Sequence, residues 1–363
     1  MQLLDSFLGS FKDGLTATDR VVGIDIGASS MKVVELQDRE GILTLTTYGE
    51  VQLGPYAGNG LGRAVKLEPQ QEQEALVDVI RESAVQAERA VFAMPLSSSF
   101  VTNVSIELTD ETDLAAMVRV EARKVIPASL SEVTLDWAEV ETTETEVEQE
   151  GEDHRNILIA AIQNNALERF KVLMQFAGLH EPPTEIECFS AVRALFNQDE
   201  QDIAIIDIGA VATKLYIARN GLLMRMHRVR AGGSVATEAI AKHLELDFST
   251  AEEKKVQVDR AQADFTKYQQ AHHQSYDRAF REFGQVLREY EQKTGSMIDM
   301  VYLTGGGALF PGTDKYLAES LERDVRRADP FAKVAYPAFM EDVMAKIGPT
   351  FTVALGAALR GFD

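Results

Sequence analysis

The same short pattern, Asp-Ile-Gly-Ala, occurs twice in the chain, at Asp25–Ala28 and Asp207–Ala210. Each copy follows an apolar run that is typical of a buried strand, and each is followed by hydroxyl side chains, a lysine and a second strand-like run. These hydroxyls and lysines are Ser29, Ser30 and Lys32 in the first copy and Thr213 and Lys214 in the second. The repeated unit is predicted to be a β-hairpin with an acidic residue, a glycine and hydroxyl groups at its tip.

These residue types suit phosphate and magnesium. A carboxylate at the end of a buried strand can hold a hydrated Mg2+ ion, which keeps several of its waters. Glycine permits a sharp turn whose backbone N–H groups point toward an anion. Hydroxyls donate to phosphate oxygens, and Lys32 supplies a positive charge. An ordinary turn also uses Asp and Gly, but two copies of one pattern favour duplicated lobes that face each other across a nucleotide.

A third motif is a strand-like run that ends in three consecutive glycines, Gly305, Gly306 and Gly307. A backbone without side chains can lie directly against a flat or bulky ligand such as a nucleoside. In this order, the three motifs resemble the phosphate-one, phosphate-two and adenosine signatures of the actin-like ATPase superfamily. The resemblance covers nearly the whole chain. It implies an α/β protein with the actin-like ATPase fold: two duplicated ribonuclease-H-like lobes with ATP between them.

The composition excludes several other classes of protein. A length of 363 residues suits two lobes rather than one small core. A net charge of −21 opposes binding to nucleic acid or to an anionic membrane surface. The single cysteine, Cys188, excludes an internal disulfide and agrees with a reducing cytoplasm. The sequence has no metal-ligand spacing of His and Cys and no apolar run of the roughly 20 residues that span a bilayer.

The order of strand-like and helix-like patterns divides the chain into lobes. The predicted first lobe spans residues 21–95 and is completed by 184–201 and 346–363, and the predicted second lobe spans 202–255 and 298–345. Residues 256–297 are predicted to form a charged helical subdomain whose aromatic residues are core, with His272 and His273 in a solvated turn. Residues 1–20 carry a short helical apolar stripe and form a separate N-terminal segment.

Residues 96–183 have no counterpart in the second half of the chain and are predicted to form an inserted subdomain with the order strand, helix, strand, strand, helix. The acidic stretch from Glu141 to Asp153 is interpreted as a solvated hairpin loop. Actin and the sugar kinases lack a subdomain at this place, whereas FtsA and PilM proteins have one. The insertion therefore predicts an FtsA-type member of the superfamily.

Within that superfamily the chain most resembles the PilM family of type IV pilus proteins. The chain also ends at Asp363 without the C-terminal amphipathic helix of FtsA, which favours PilM. The similar stretches are Val21–Lys32, Ala122–Pro127, Gly232–Thr237, Ala251–Glu252, Thr304–Gly312 and Asp329–Phe331.

The PilM resemblance implies an ATP-binding cytoplasmic protein that reaches the inner membrane only through partners. The expected partners are pilus motor components and the cytoplasmic N-terminus of a PilN-like inner-membrane protein, which would bind a groove of the inserted subdomain. Because ATP would contact both lobes, closure of the lobes is expected to affect that groove. No contact with nucleic acid is expected, and self-association is left open.

The same resemblance assigns roles to individual residues. Asp25 and Asp207 are expected to hold Mg2+ through water. The expected phosphate contacts are Gly27, Ser29, Ser30 and Lys32 on one lobe and Gly209 and Thr213 on the other. The α-phosphate and nucleoside are expected to be lined by Gly232, Gly233 and Gly305–Gly307.

Two further assignments leave an alternative open. Glu252 and Lys255 match positions near the adenosine, although an exposed ion pair along a helix explains them as well. Glu187 matches the position of a catalytic acid that orients water. A carboxylate is also favoured at the start of a helix for purely structural reasons, and this explains Glu187 equally well.

Other members of the superfamily remain as alternatives. An FtsA-like or other filament-forming actin homologue would share the three motifs. A small-molecule kinase would need a general base and groups that bind the acceptor, and the segment after Met94 offers no such site. The sequence does not decide whether ATP is hydrolysed.

Overall fold

The computed structural model describes residues 19–107, 113–150, 153–180 and 184–363. Of the predicted N-terminal helical segment 1–20, only the last two residues fall within these ranges. The strands are β1 Arg20–Ile26, β2 Ser30–Arg39, β3 Ile42–Gln52, β4 Arg89–Met94, β5 Ser99–Glu107, β6 Val133–Val140, β7 His154–Gln163, β8 Glu185–Ile186, β9 Asp202–Ile208, β10 Thr213–Arg219, β11 Leu222–Val229, β12 Met300–Thr304 and β13 Val325–Arg327.

Within the described ranges, α-helices and five short 3-10 turns connect these strands. The α-helices are α1 Pro69–Glu82, α2 Leu114–Val125, α3 Glu144–Glu150, α4 Asn164–Phe176, α5 Glu187–Leu195, α6 Gly233–Leu244, α7 Phe248–Gln257, α8 Phe265–Gln274, α9 Asp277–Thr294, α10 Thr313–Leu321, α11 Glu341–Ile347 and α12 Thr352–Arg360. The 3-10 turns are Pro55–Ala57, Gly306–Leu309, Pro330–Lys333, Ala338–Met340 and Gly348–Phe351.

Two five-stranded sheets repeat one topology, in the orders β3-β2-β1-β4-β8 and β11-β10-β9-β12-β13. In each, the two strands of the predicted hairpin pair antiparallel and the next strand pairs parallel. The register is also repeated, since Asp25 lies opposite Lys32 and Asp207 lies opposite Lys214. The predicted strand–turn–strand units are confirmed at both places, and the duplicated α/β architecture is confirmed with them.

Helix α12 packs across the first sheet and against α5. A Cβ at Gly356 of α12 would lie 1.9 Å from the carbonyl oxygen of Ser190 on α5, so only glycine allows the two backbones to approach this closely. The result is a tight seam between the end of the chain and the helix that begins with Glu187, at the base of the first hairpin.

The chain returns to the first lobe earlier than the predicted boundary at residue 346. Phe331, Val334 and Met344 lie in one apolar cluster with Val34 and Leu36 of β2. The backbone of Ala335 also exchanges hydrogen bonds with β3. Burial of these apolar side chains against the first sheet, rather than continuity in sequence with the second lobe, decides where this segment lies.

The inserted subdomain is a three-stranded sheet in the order β5-β7-β6. Alternate residues of β7 point to its two faces: Ile157 and Ile159 pack with α2, whereas Leu158 and Ala160 join the large core shared by both lobes. The subdomain therefore has a core of its own and a second face that is continuous with the main body.

The acidic stretch after Glu141 is not the solvated loop that the sequence predicted. It contains helix α3, whose start carries a capping box: Thr143 and Glu146 each accept a hydrogen bond from the other's backbone N–H. Glu146 is buried, accepts a hydrogen bond from Asn156, and lies 3.8 Å from Arg219 of the second lobe. The prediction was wrong because a local cap and a distant arginine remove this carboxylate from water.

Across the described ranges, no helix is both long and apolar enough to cross a membrane.

Candidate functional site

The two hairpin tips face a common cleft with a cavity of about 570 Å3. Both tips use the same turn, in which the N–H of Gly27 donates to Ser30 and that of Gly209 donates to Ala212, each at 3.0 Å. The triple glycine, α7 and the end of α8 form other parts of the wall. The cleft thus collects most of the sequence-predicted site residues, which are Asp25, Gly27, Ser29, Ser30, Lys32, Glu187, Asp207, Gly209, Gly233, Glu252, Lys255, Gly305, Gly306 and Gly307.

Charged groups converge where the tips meet. Lys214 Nζ lies 2.6 Å from Glu187 Oε2 and 3.1 Å from Asp207 Oδ2. Burial by itself would lower the pKa of Lys214, but Asp207 and Glu187 hold it above its ordinary value. Lys32 Nζ, on the other tip, lies 2.7 Å from Ser30 Oγ. Lys32 also lies 3.6 Å from Glu50, so two lysines share this part of the cleft with four carboxylates, those of Asp25, Glu50, Glu187 and Asp207.

Asp25 differs from the other carboxylates because its side chain forms no hydrogen bond within the described part of the chain. Burial raises the pKa of Asp25 to about 6, and the positive charge of Lys32 only partly opposes this. Glu187 and Asp207 add to the increase. The site therefore holds more negative charge than its lysines neutralise, which is a property of cation sites.

Glu187 is the first residue of α5, and both of its carboxylate oxygens have protein partners. Oε1 accepts a hydrogen bond from the N–H of Leu96 at 2.8 Å, and Oε2 pairs with Lys214. It therefore links the start of the inserted subdomain to the second lobe. Glu187 lies in the cleft wall, but both of its carboxylate oxygens already have protein partners.

The glycine loops bring backbone close to this charged end. Gly305 has φ +83°, and a Cβ there would lie 2.3 Å from Asp207 Oδ1. Glycine is therefore required both by the left-handed conformation and by the approach of the carboxylate. The backbone of Gly233 donates to Gly209, which fixes the start of α6 beside the second tip.

Glu252 and Lys255 are not the exposed helix pair of the alternative interpretation. Their charged atoms lie 2.7 Å apart, with both side chains largely buried in the cleft wall. Lys255 Nζ also donates to Thr237 Oγ1 at 2.8 Å and to the carbonyl of Gly233 at 3.2 Å. The pair therefore ties α7 to the start of α6.

Two predicted ligand residues do not reach the cleft. Thr213 is fully buried, and its hydroxyl donates to the carbonyl of Ala231. Side chains alternate along a strand, so Thr213 faces away from the side that carries Lys214. Gly232 does not line the cavity either: a Cβ there would lie 2.5 Å from the carbonyl oxygen of Ala210, so it serves backbone packing. Thr213 and Gly232 are corrections to the predicted site.

Sequence reasoning missed the aromatic end of the cleft. His272, Tyr276 and Phe310 line it, and His272 is buried with its ring 3.8 Å from that of Phe310, centroid to centroid. The predicted solvated turn at His272 is therefore wrong. The signal was available, because Tyr268 and His272 are four residues apart and so lie on one face of the same helix.

A second cavity, here termed the crevice, lies between the inserted subdomain and both lobes. Its volume is about 340 Å3. Trp137 and Leu158 of the inserted sheet, Phe189 of α5 and Leu222 at the start of β11 line it. Nearby, the side chain of Asn220 donates to Glu141 at 2.9 Å, so the second lobe and the insertion are in direct contact. One wall of the crevice thus belongs to each part of the molecule.

Within the described ranges, no three His, Cys, Asp or Glu side chains are grouped as direct ligands of one ion.

Solved structures of several proteins share this architecture. The PilM–PilN type IV pilus biogenesis complex contains a chain that is 25% identical over 96% of this chain and 100% of its own length, with a TM-score of 0.77. The ethanolamine utilization protein EutJ from Carboxydothermus hydrogenoformans is 16% identical over 99% of this chain and 96% of its own, with a TM-score of 0.56. MreB5 of Spiroplasma citri bound to ADP is 14% identical over 94% of this chain and 96% of its own, with a TM-score of 0.51.

At their level of identity, EutJ and MreB5 establish the fold alone. The family described as type IV pilus assembly protein PilM matches residues 23–362, a range that contains both hairpins, the inserted subdomain and the triple glycine. The chain therefore belongs to the PilM family of type IV pilus assembly proteins and has the actin-like ATPase fold.

Proposed function

We propose that this chain is a pilus assembly protein that binds ATP with Mg2+ in the cleft and the N-terminal segment of a PilN-like membrane protein in the crevice. The observation that carries the proposal is the convergence of two hairpin tips of identical register, Asp25 with Lys32 and Asp207 with Lys214, on one cavity. Solved structures with this fold include MreB5 bound to ADP and MreB5 bound to AMPPNP.

The charged end of the cleft suits the phosphates. Ser30 and Lys32 offer a hydroxyl and an ammonium group from the first tip, and the backbone around Gly209 approaches from the second. Asp25 has no side-chain hydrogen bond among the described residues, and Asp207 shares Lys214 with Glu187, so these two strand-end carboxylates fit a hydrated Mg2+ held through its waters. When bound, that ion supplies positive charge to the phosphate oxygens.

The glycine loop that begins beside Asp207 suits the nucleoside. Glycines 305–307 present bare backbone, and the ion pair between Glu252 and Lys255 forms the adjoining wall. A cavity of about 570 Å3 has room for a nucleotide. The glycines of the loop and this ion pair are therefore proposed to contact the adenosine part of ATP.

We propose that the main role of Glu187 is to hold the two lobes together. A catalytic role for it stays a prediction. Its two oxygens already accept hydrogen bonds from Leu96 and Lys214. To orient a water for attack on a phosphate, the carboxylate would have to release one of these donors. This geometry favours slow turnover or none in the arrangement described.

The crevice suits a short apolar peptide segment. Its lining is aromatic and aliphatic, and β6, which contributes Trp137, is at the edge of its sheet. An edge strand can add a peptide strand through backbone hydrogen bonds, while neighbouring pockets hold alternate side chains. The net charge of −21 favours a segment with positive charge.

The construction of the crevice also links it to the nucleotide cleft. Leu222 and its neighbours belong to the second lobe, whereas Trp137 belongs to the insertion in the first. A ligand that changes the arrangement of the lobes therefore changes the width of the crevice. Binding of a nucleotide in the cleft would then change the affinity of the crevice for the peptide, and the reverse.

Binding of a fluorescent peptide with the sequence of a PilN-type N-terminus tests this proposal. We expect Trp137→Ala to weaken binding about tenfold or more, because interface aromatics often contribute most of the binding energy. The matched control is Phe339→Ala, which removes an aromatic side chain that is 85% exposed and outside the crevice. Equal peptide affinities for Trp137→Ala and the unaltered protein would place the partner elsewhere.

A further inference from the structure

The segment that joins β3 to α1, residues 53–68, is here termed the strap. It contains the 3-10 turn Pro55–Ala57 and is otherwise irregular. By its position in the sequence the strap belongs to the first lobe, yet its middle reaches the second lobe. Four of its residues line the cleft: Gly62, Val65, Lys66 and Leu67.

The base of the strap is bonded to the first hairpin tip. The N–H of Leu53 donates to the carbonyl of Ser29 at 2.8 Å, and the N–H of Val65 donates to the carbonyl of Ala28 at 2.9 Å. Ala28 and Ser29 both line the cleft. The strap is therefore held at its base by the same turn that offers hydroxyl groups to the cavity.

The middle of the strap lies on the second lobe, against α7 and the start of α6. The guanidinium carbon of Arg63 lies 3.7 Å from the centroid of the Phe248 ring, which is a cation–π contact. The hydroxyl of Ser234 donates to the carbonyl of Gly62 at 3.4 Å. Arg63 is exposed to water, and the hydrogen bond is long, so these two contacts can break at a small cost in free energy.

The strap and α7 touch without a gap at Gly62. This glycine has φ +71°, and a Cβ there would lie 2.3 Å from Cδ of Glu252. Only glycine suits both the left-handed conformation and this close approach. The backbone of the strap therefore meets a side chain of the cleft wall directly, and a nucleotide cannot pass between them while they are in contact.

We infer that the strap is a gate, and that its contact with α7 must open for a nucleotide to enter or leave the cleft. The inference rests on the proposed nucleotide function and adds the step that controls exchange. The gate contact joins two parts of the protein, so weakening it increases the open fraction with and without nucleotide. The rate constants of entry and release then rise together, and the equilibrium affinity changes little.

The first test weakens the gate contact with Arg63→Ala. Stopped-flow mixing of the full chain with Mg2+ and a fluorescent ATP derivative measures the rate constants of binding and release. We expect both to rise about two- to fivefold, the value of one exposed cation–π contact. The matched control is Arg81→Ala, because Arg81 pairs only with Asp78 and Glu82 of its own helix and does not line the cleft. Both rate constants are expected to be unchanged in that control.

The second test locks the gate with a disulfide. A Cβ at Gly60 of the strap would lie 3.8 Å from Cβ of Ser249 on α7, the usual separation in a disulfide. Gly60→Cys combined with Ser249→Cys is therefore expected to cross-link on oxidation, and the native Cys188 is buried.

Locking is expected to act in both directions. Nucleotide bound before oxidation should leave about tenfold more slowly or worse, and protein oxidised while empty should bind nucleotide more slowly by a similar factor. Reduction with dithiothreitol should restore both rates. Each single cysteine variant serves as the control, since neither can form the cross-link.

Three results overturn the inference. They are failure of the cysteine pair to cross-link, unchanged exchange in the cross-linked protein, and a change in Arg63→Ala other than a rise of both rate constants. A rise in release alone would show that Arg63 only stabilises the bound state. If the unaltered protein binds neither labelled nor unlabelled ATP, the nucleotide function itself fails, whereas cross-linking still reports whether the strap contacts α7.

Discussion

The two hairpins have the same register, but their lysines have different partners. In the first, Lys32 reaches Ser30 Oγ at 2.7 Å and lies 3.6 Å from the half-exposed carboxylate of Glu50. In the second, Lys214 lies between Asp207 and Glu187, both buried. Glu187 comes from the first lobe, so the second lysine joins the lobes while the first stays within its own.

The amino-acid sequences of the two tips also differ. When Asp25 is aligned with Asp207, the hydroxyls Ser29 and Ser30 fall opposite Val211 and Ala212. Only the first tip therefore presents hydroxyl donors to the cleft. Duplication has produced one tip with hydroxyl donors in the cavity and one whose lysine joins the two lobes.

The largest expected difference between the hairpins is in stability. Lys214→Met leaves Glu187 and Asp207 as buried carboxylates without their cation, and removal of one member of a buried ion pair costs about 3 kcal/mol or more. Lys32→Met removes a hydrogen bond to Ser30 and a 3.6 Å contact with the partly exposed Glu50, and it is expected to cost less, about 1 kcal/mol. Urea unfolding measures both free energies. Equal costs would contradict the division of roles between the lysines.

Asp25 is expected to make the binding of MgATP depend on pH. Asp25 is protonated below its pKa of about 6 and is then unable to attract Mg2+. MgATP affinity should therefore be constant above about pH 7 and fall by up to about tenfold for each unit below pH 6. Calorimetric titrations between pH 5 and pH 8 (roughly the range around this pKa) measure the profile. Asp25→Asn should bind more weakly and with a flatter profile, and an unchanged slope would assign the proton to another group.

The smallest expected effect concerns Thr213. Because its hydroxyl donates to Ala231 within the second lobe, Thr213→Val should lower the free energy of unfolding by about 1 kcal/mol. MgATP affinity should remain the same. Ser30→Ala, the matched change at a hydroxyl that lines the cleft, should weaken MgATP instead. A loss of MgATP affinity in Thr213→Val would show that the Thr213 hydroxyl does contact the nucleotide.

The hairpins and the glycine loop could be predicted from the sequence because each is a local pattern. An apolar run, Asp-Ile-Gly and a second apolar run specify a strand, a turn and a strand within about 20 residues, independently of distant contacts. Gly305 is similar, since a left-handed turn demands glycine wherever it occurs. Resemblance to a known family then indicated that these loops meet.

The features that were missed depend on partners far away in the chain. Glu146 is buried only because Arg219 and Asn156 come to it, and Glu187 engages Lys214 across the lobes. Burial of His272 depends on Phe310. Charge and histidine content suggested that these segments are solvated. The local signals against this were the capping box at Thr143, which indicates a helix, and the spacing around His272, which indicates a buried helix face.

The most direct test of the central claim is calorimetric titration of the full chain with ATP, with and without Mg2+. One Mg2+-dependent binding event per chain is predicted, weakened about tenfold or more by either Asp25→Asn or Asp207→Asn, because each hairpin supplies one carboxylate to the same ion. Absence of ATP uptake, or full affinity in both variants, would contradict a nucleotide held between the two hairpins.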